Sequence, residues 1–157
     1  MSNTEPTVLR QDEGAVTVLT VSNPKRRNAF SPEVRAALVG HMDEIATDSL
    51  IRSVVITGAN NTFSAGGDLS TMQDMTAFEG RERIRAGRAM VESLWRSEKP
   101  IVAAVEGFAF GAGLSLALLA DWIVAAEDAS FCASFGKVGL MGDMGLFWTL
   151  PQRVSVG

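Results

Sequence analysis

Val54-Val55-Ile56 leads into Phe63-Ser64-Ala65-Gly66-Gly67-Asp68, and Ile101-Val102-Ala103-Ala104-Val105 leads into Phe110-Gly111-Ala112-Gly113. Each is an apolar, β-branched run followed by a turn of small residues, and each turn precedes a helix-like segment. Strand, turn and helix therefore alternate, which predicts an α/β layered domain with largely parallel pairing. Glycine in such a turn serves positive φ or close packing. Two such turns together also have a chemical reading. Helix N-termini carry unpaired amides at a positive dipole end, and two converging amides stabilise an oxyanion formed on a substrate carbonyl.

The flanking sequence fills in the alternation. Val16-Thr17-Val18-Leu19-Thr20-Val21 predicts a first strand, ended by Asn23-Pro24 where proline removes a ladder donor. A basic turn, Lys25-Arg26-Arg27, follows. Ser31-Pro32-Glu33 is a helix start, with serine as N-cap, proline at the first helical position and an acid in the first turn. Val34, Ala37, Leu38, Met42 and Ile45 then recur at helical spacing as far as Asp48. Ser53 to Thr57 reads as a strand, and Glu79 to Arg96 as a charged helix with Ile84, Met90, Val91, Leu94 and Trp95 on its buried side. Pro100 stops that helix. Leu114 to Leu119 reads as a buried helix, Trp122 to Ala126 as a strand with Trp122 in the core, and Gly145 to Leu150 as a last short helix. The sequence carries no internal repeat or linker, so residues 1–157 read as one domain.

Composition narrows the function classes. A chain of 157 residues with 46% hydrophobic and 20% charged residues is ordinary globular material. A formal charge of -4 argues against a nucleic-acid partner, because such affinity rests on clustered lysine and arginine. Cys132 is the only cysteine and His41 the only histidine, which argues against a disulfide framework, a metal centre and Ser-His-Asp catalysis. The polar stretch Met1 to Pro6 is unlike a secretory signal, so a cytoplasmic location is expected. Pro100 to Ala126 is apolar, but Glu106, Asp121 and several glycines divide it into short elements, so it reads as core and not as a membrane span. Asp121 and Glu106 are expected to pair with arginine at the core margin. The glycine turns fit neither G-x-G-x-x-G nor G-x-x-x-x-G-K-[ST], and Gly113-Leu114-Ser115 does not complete G-x-S-x-G.

Four ordered blocks carry a family resemblance. They are Asn23-Pro24-Lys25-Arg26-Arg27-Asn28-Ala29-Phe30, Phe63 through Leu69, Ala104 through Gly113, and the segment reaching Leu150-Pro151. With them the chain resembles the crotonase (enoyl-CoA hydratase/isomerase) superfamily along essentially its whole length. The resemblance implies a crotonase-like spiral core of ββα repeats that lacks the family's C-terminal helical part, and an intact protein that is a homotrimer or hexamer. It also implies an acyl-CoA substrate, with coenzyme A as part of the thioester and no separate cofactor. By position, the amides of Gly67 and Ala112 hold the thioester carbonyl, each hydrogen bond worth about 2.7–4 kcal/mol by analogy with other oxyanion holes. Lys25, Arg26 and Arg27 fall where the family contacts CoA phosphates, and Ala29 where it lines the ligand channel. Ala65, Gly66, Asp68 and Leu69, with Phe110 and Gly111, fall around the rest of the ligand. A solvated turn is the alternative for the basic triplet, and bracing of its own loop the alternative for Asp68.

Departures from the hydratase pattern bear on the reaction. The two glutamates that handle water and the α-proton in hydratases fall here on Ser115 and about Phe135, neither of which is a carboxylate base. Lys137 through Gly145 is instead similar to members with an aspartate just before the last glycine, which implies Asp143 as the catalytic carboxylate. Met141, Met144, Phe147 and Trp148 are expected to wall it and raise its pKa. The activity implied is enoyl-CoA isomerisation. Hydration, hydrolysis or dehalogenase-type chemistry, and a non-catalytic scaffold are the alternatives, and an N-cap role for Asp143 is the competing structural reading.

Overall fold

The structure is a computed structural model that describes residues 5–72 and 74–154, so the expectation at Met1 to Pro6 lies mostly outside the described residues. The elements run β1 (Thr7–Glu13), β2 (Val16–Ser22), α1 (Pro32–Thr47), β3 (Ser53–Gly58), α2 (Ala77–Trp95), β4 (Ile101–Val105), β5 (Phe108–Phe110), α3 (Ala112–Leu119), β6 (Trp122–Ala125), β7 (Ser130–Cys132) and α4 (Leu146–Thr149). Five strands form one sheet in the order β1-β2-β3-β4-β6. The β1/β2 pair is a hairpin, antiparallel, and every later pairing in that sheet is parallel. Alternate residues of the inner strands, Leu19 and Val21, Val54 and Ile56, Ala103 and Val105, are buried on a common core with Val34, Leu38, Met42 and Ile45 of α1.

A second ladder lies beside the first. Phe30 bridges Gly67, Ser64 bridges Ala109 of β5, and β5 pairs in parallel with β7. Each of the parallel strands of the large sheet, β2, β3, β4 and β6, is thus followed by a short extended piece in this second ladder and then by a helix. The series is β2, Phe30, α1; β3, Ser64, α2; β4, β5, α3; and β6, β7, α4. This is the expected ββα repetition. It leaves no repeat in the sequence because the second-ladder pieces are one to three residues long and each turn of the spiral packs against different neighbours.

Local chemistry explains the helix boundaries. The Ser31 hydroxyl accepts from the Val34 amide at 3.4 Å, with proline at the first turn, and a Thr76/Glu79 capping box opens α2. At the other end of α1 the Lys99 ammonium donates to the carbonyls of Ile45 and Asp48, a cation set on helix-end acceptors of which Ile45 O also takes the Asp48 amide.

Several expectations are corrected. Ile84 is 70% exposed and Trp95 58% exposed, because α2 turns Met90 and Leu94 inward. Ile84 lies about 120° around the helix from Met90 at 3.6 residues per turn. Trp122 is exposed because β6 is the second edge of the large sheet. β1, β5 and β7 were not expected. Asp121 accepts the Ile101 amide on its carboxylate at 2.8 Å, while Arg153 donates to its main-chain carbonyl and not to the carboxylate. No helix of the described residues is long and apolar enough to cross a membrane.

Candidate functional site

The first glycine turn is fastened from both sides. Ser64, fully buried, donates its amide to Phe108 O at 2.8 Å and receives the Phe110 amide at 3.0 Å. Its hydroxyl donates to Asn28 O at 2.7 Å and accepts the Gly66 amide at 3.1 Å. The Phe30 amide donates to Gly66 O at 2.8 Å. Main chain and hydroxyl together fix residues 64–67 as part of the second ladder.

The second turn lies directly against the first. Gly111 has φ +52°, donates its amide to Cys132 O at 2.8 Å, and delivers the chain to Ala112, the first residue of α3. Gly66, at φ +96°, packs so closely that a β-carbon there would stand 2.5 Å from Phe110 O and 3.1 Å from the Ala112 amide nitrogen. A β-carbon on Gly113 would stand 2.5 Å from Ser64 O. These glycines therefore serve close approach of two backbones as well as loop conformation. The amides of Gly67 and Ala112 have no protein acceptor among the described residues; Ala112, at the start of α3, has no intrahelical one. Gly67 is only partly buried and its missing side chain faces space bounded by Arg83 Nη2, 3.8 Å from a β-carbon position.

Asp143 stands nearby in a cationic setting. Its main-chain carbonyl accepts the Ser115 hydroxyl at 3.2 Å and the Leu146 amide at 3.0 Å. Gly145, not Asp143, is the N-cap of α4, and no side chain caps that helix, so the capping reading of the Asp143 carboxylate falls away. The carboxyl pKa is raised from its ordinary value. Desolvation by surrounding protein is the cause, and it outweighs a main-chain hydrogen bond and the charges of Arg35 and Arg83. The expected apolar wall is corrected: Met141, Phe147 and Trp148 are exposed, Met144 alone of the four packs on the core, and Asp143 itself stays accessible to solvent.

Ser115 and Phe135, the positions that the resemblance sets against the hydratase glutamates, lie in apolar packing. Ser115 is fully buried, and Phe135 packs in a small apolar cluster with Leu114, Leu118 and Leu146. Sequence reasoning missed two arginines that the fold brings into this region. Arg35, nearly buried, donates through Nε and Nη2 to Phe30 O. Arg83 donates through Nη1 to Thr71 Oγ1 at 2.6 Å and through Nη2 to Asp68 O at 3.4 Å. Burial lowers the pKa of both, and for Arg35 the like charge of Arg83 adds to the effect. The only signal for Arg35 was a cation placed between core positions Val34 and Leu38; Arg83 gave none, being one charge among many on α2.

The residues assigned to coenzyme A surround the same loop. Lys25, Arg26 and Arg27 are exposed on a short 3-10 turn, and Arg27 and Asn28 take positive φ. Asn28, buried, holds that turn to the Gly58–Phe63 connection by donating to Ala59 O and Thr62 O. The Ala65 amide donates to Arg27 O at 2.9 Å, joining the basic turn to the glycine turn. Ala65 and Leu69 are exposed, Phe110 is half-buried, and Ala29 is buried with its carbonyl taken by Asn23 Nδ2. Asp68 braces its own loop through Ser70, whose amide and hydroxyl both donate to Oδ1. A cavity of about 350 Å³ lies between Lys25, Arg26, Asn23 and Asp68, Ser70, Thr71. His41 is remote from these residues in its bonding, with Nε2 3.0 Å from Val8 O.

Comparison with known proteins places this arrangement. Residues 11–156 match the family model described as Enoyl-CoA hydratase/isomerase. The chain is 37% identical over 149 residues to 1,2-epoxyphenylacetyl-CoA isomerase of Escherichia coli (strain K12), covering 92% of this chain and 57% of that protein. It is 34% identical to the short-chain-enoyl-CoA hydratase of Clostridium acetobutylicum, covering 96% of this chain and 58% of that protein. Among solved structures, an enoyl-CoA hydratase from Polaromonas sp. JS666 superposes with a TM-score of 0.88 at 40% identity, covering 94% of this chain and 59% of that one. A Thermobifida fusca YX structure in complex with acetoacetyl-CoA gives a TM-score of 0.84 at 29% identity, covering 96% of this chain and 63% of that one. The chain thus spans somewhat under two thirds of the length of these relatives, and by fold, ordered blocks and sequence it belongs to the enoyl-CoA hydratase/isomerase family.

Proposed function

We propose that this chain is the acyl-CoA-binding core of an enoyl-CoA isomerase. The amides of Gly67 and Ala112 receive the thioester oxygen, and Asp143 moves the proton. The observation that carries this reading is the distribution of carboxylates. Asp143 is an accessible acid freed from capping, with a raised pKa, while the hydratase positions hold a buried serine and a core phenylalanine.

Ionised Asp143 takes a proton from C2 of a 3-enoyl thioester, and the C–H electron pair moves toward the carbonyl oxygen to form a dienolate. The two amides stabilise the developing charge without reorganising, because both turns are already fixed by main-chain contacts. The same acid then returns its proton to C4, leaving the double bond between C2 and C3. A raised pKa suits both halves of this cycle, since the group must accept and release a proton near neutral pH. Lys25, Arg26 and Arg27 present exposed cations to the CoA phosphates, joined to the glycine turn through the Ala65 to Arg27 hydrogen bond. The intact protein acts in the cytoplasm as a homotrimer or hexamer, on the family resemblance.

The test is turnover of matched 2-enoyl-CoA and 3-enoyl-CoA thioesters by the intact protein, with deuterium exchange at C2 followed separately. Double-bond migration and C2 exchange without addition of water are expected. Water addition as the main reaction makes the protein a hydratase, and a covalent acyl-aspartate makes Asp143 a nucleophile; either result overturns the isomerase reading.

A further inference from the structure

The Arg83 guanidinium borders the space over Gly67, and most of its donors are unused by the described residues. Its Nη2 stands 3.8 Å from the β-carbon position of that residue. Thr71 Oγ1 and Asp68 O, both on the loop that follows Gly67, hold the group in place through Nη1 and Nη2. Neither acceptor is a carboxylate. Neither Arg83 nor Arg35 has an ion pair within 4.0 Å among the described residues.

A guanidinium carries five N–H donors, and two of these are used. The rest have no protein acceptor among the described residues, and Nη2 lies beside Gly67, where on the reading above the thioester binds. A plain hydrocarbon chain there would strip water from those donors and return nothing, and a site built to hydrogen-bond a substrate oxygen discriminates strongly against an analogue lacking it. The nearby acids do not occupy those donors. The Asp68 carboxylate is engaged by Ser70 on its own loop. Asp143 acts on both arginines only through its field, with no hydrogen bond to either, and when it takes the proton its charge passes to the dienolate, so the charge of the region is unchanged through the cycle.

We propose that Arg83 is a specificity-determining residue that binds an oxygen of the acyl group, so that the substrates are acyl-CoA thioesters with an oxygen acceptor on the acyl chain in preference to unsubstituted chains. This rests on the thioester reading of Gly67 and Ala112. Arg35, nearly buried and anchored to Phe30 O, adds positive potential behind Arg83 and does not touch the ligand.

Saturated four-carbon thioesters test this by binding alone. Butyryl-CoA, 4-hydroxybutyryl-CoA and succinyl-CoA differ only at C4, which separates a neutral oxygen from a carboxylate. Calorimetric titration of the intact protein is expected to show one or both oxygenated ligands binding about 10–100-fold more tightly than butyryl-CoA, the range of a charge-assisted hydrogen bond. Arg83→Met is expected to erase that preference while leaving butyryl-CoA affinity within about threefold, and Arg83→Lys to restore part of it. Equal affinities in the unaltered protein, or a preference that survives Arg83→Met, overturn the role of Arg83 and leave the thioester site standing. Failure of all three ligands and of CoA itself to bind overturns both.

Discussion

The Ser115 hydroxyl donates to the main-chain carbonyl of Asp143 across 3.2 Å, so a fully buried side chain of α3 tethers the segment that bears the proposed acid. Asp143→Asn is therefore expected to reduce isomerase turnover by about 10²–10⁴-fold, the usual worth of a positioned acid–base group, with KM little changed. Ser115→Ala, which frees the segment and keeps the acid, is expected to cost far less. Steady-state kinetics of the two variants measure the contrast, and unchanged turnover in Asp143→Asn removes that residue from the mechanism.

The raised Asp143 pKa gives two pH effects of defined sign. Because the ionised form is the base, kcat/KM is expected to fall as pH drops through the raised Asp143 pKa, and Asp143→Asn is expected to lack that limb. For stability, a folded pKa above the unfolded one means the native state holds the proton more tightly between the two values. Asp143 then favours folding below its unfolded pKa, and this contribution is lost as pH rises through the folded pKa. Urea unfolding at a series of pH values is expected to show Asp143→Asn gaining stability relative to the parent as pH rises through that window.

Adjacent glycines in the first turn are expected to respond oppositely to a methyl group. Gly66→Ala drives a β-carbon to 2.5 Å from Phe110 O at a φ of +96°, so a loss of about 1–3 kcal/mol and of activity is expected. Gly67→Ala meets only the end of Arg83 at ordinary contact distance and keeps its amide, so stability within about 1 kcal/mol and measurable turnover are expected. Denaturant unfolding of both variants, with parallel assays, checks the pair.

The Lys99 ammonium, set on the final carbonyls of α1, predicts a stability effect distant from the chemistry. Lys99→Met keeps the aliphatic stem and removes the charge, leaving Asp48 O without its Lys99 donor and Ile45 O with only the Asp48 amide. A loss of about 1–2 kcal/mol is expected in urea unfolding, with kcat unchanged for the folded fraction.

How far these features could be read beforehand depended on how local their causes are. The Ser31-Pro32-Glu33 start of α1 and the Val54 to Ile56 strand declare themselves through capping chemistry and apolar runs, and both stand where expected. β1 did not declare itself, because Thr7–Glu13 is a polar edge strand in which only Val8 is buried. β5 and β7 are too short to carry a period and exist through pairing with each other. Asp143 was singled out through its block, but the expected wall around it is not formed, since apolar residues at 141, 147 and 148 turn outward. Arg83 was illegible for a different reason: its meaning comes from Gly67, sixteen residues earlier, which only the tertiary fold brings beside it.

The exposed basic turn predicts a substrate-length effect. Replacing Lys25, Arg26 and Arg27 with alanine is expected to raise KM for CoA thioesters by about tenfold at low salt, and less at high salt where exposed charges are screened. The corresponding N-acetylcysteamine thioesters, which lack phosphates, are expected to be unaffected. Kinetics with both substrate forms at two ionic strengths make the comparison, and an equal rise for both forms counts against phosphate contact.

The second ladder, assembled from single bridges at Phe30 with Gly67 and Ser64 with Ala109, has an evolutionary consequence. Its useful atoms belong to the main chain and are the same whatever side chains a lineage accumulates. Side chains around it, those at 115, 135 and 143 among them, can therefore change without rebuilding these main-chain positions.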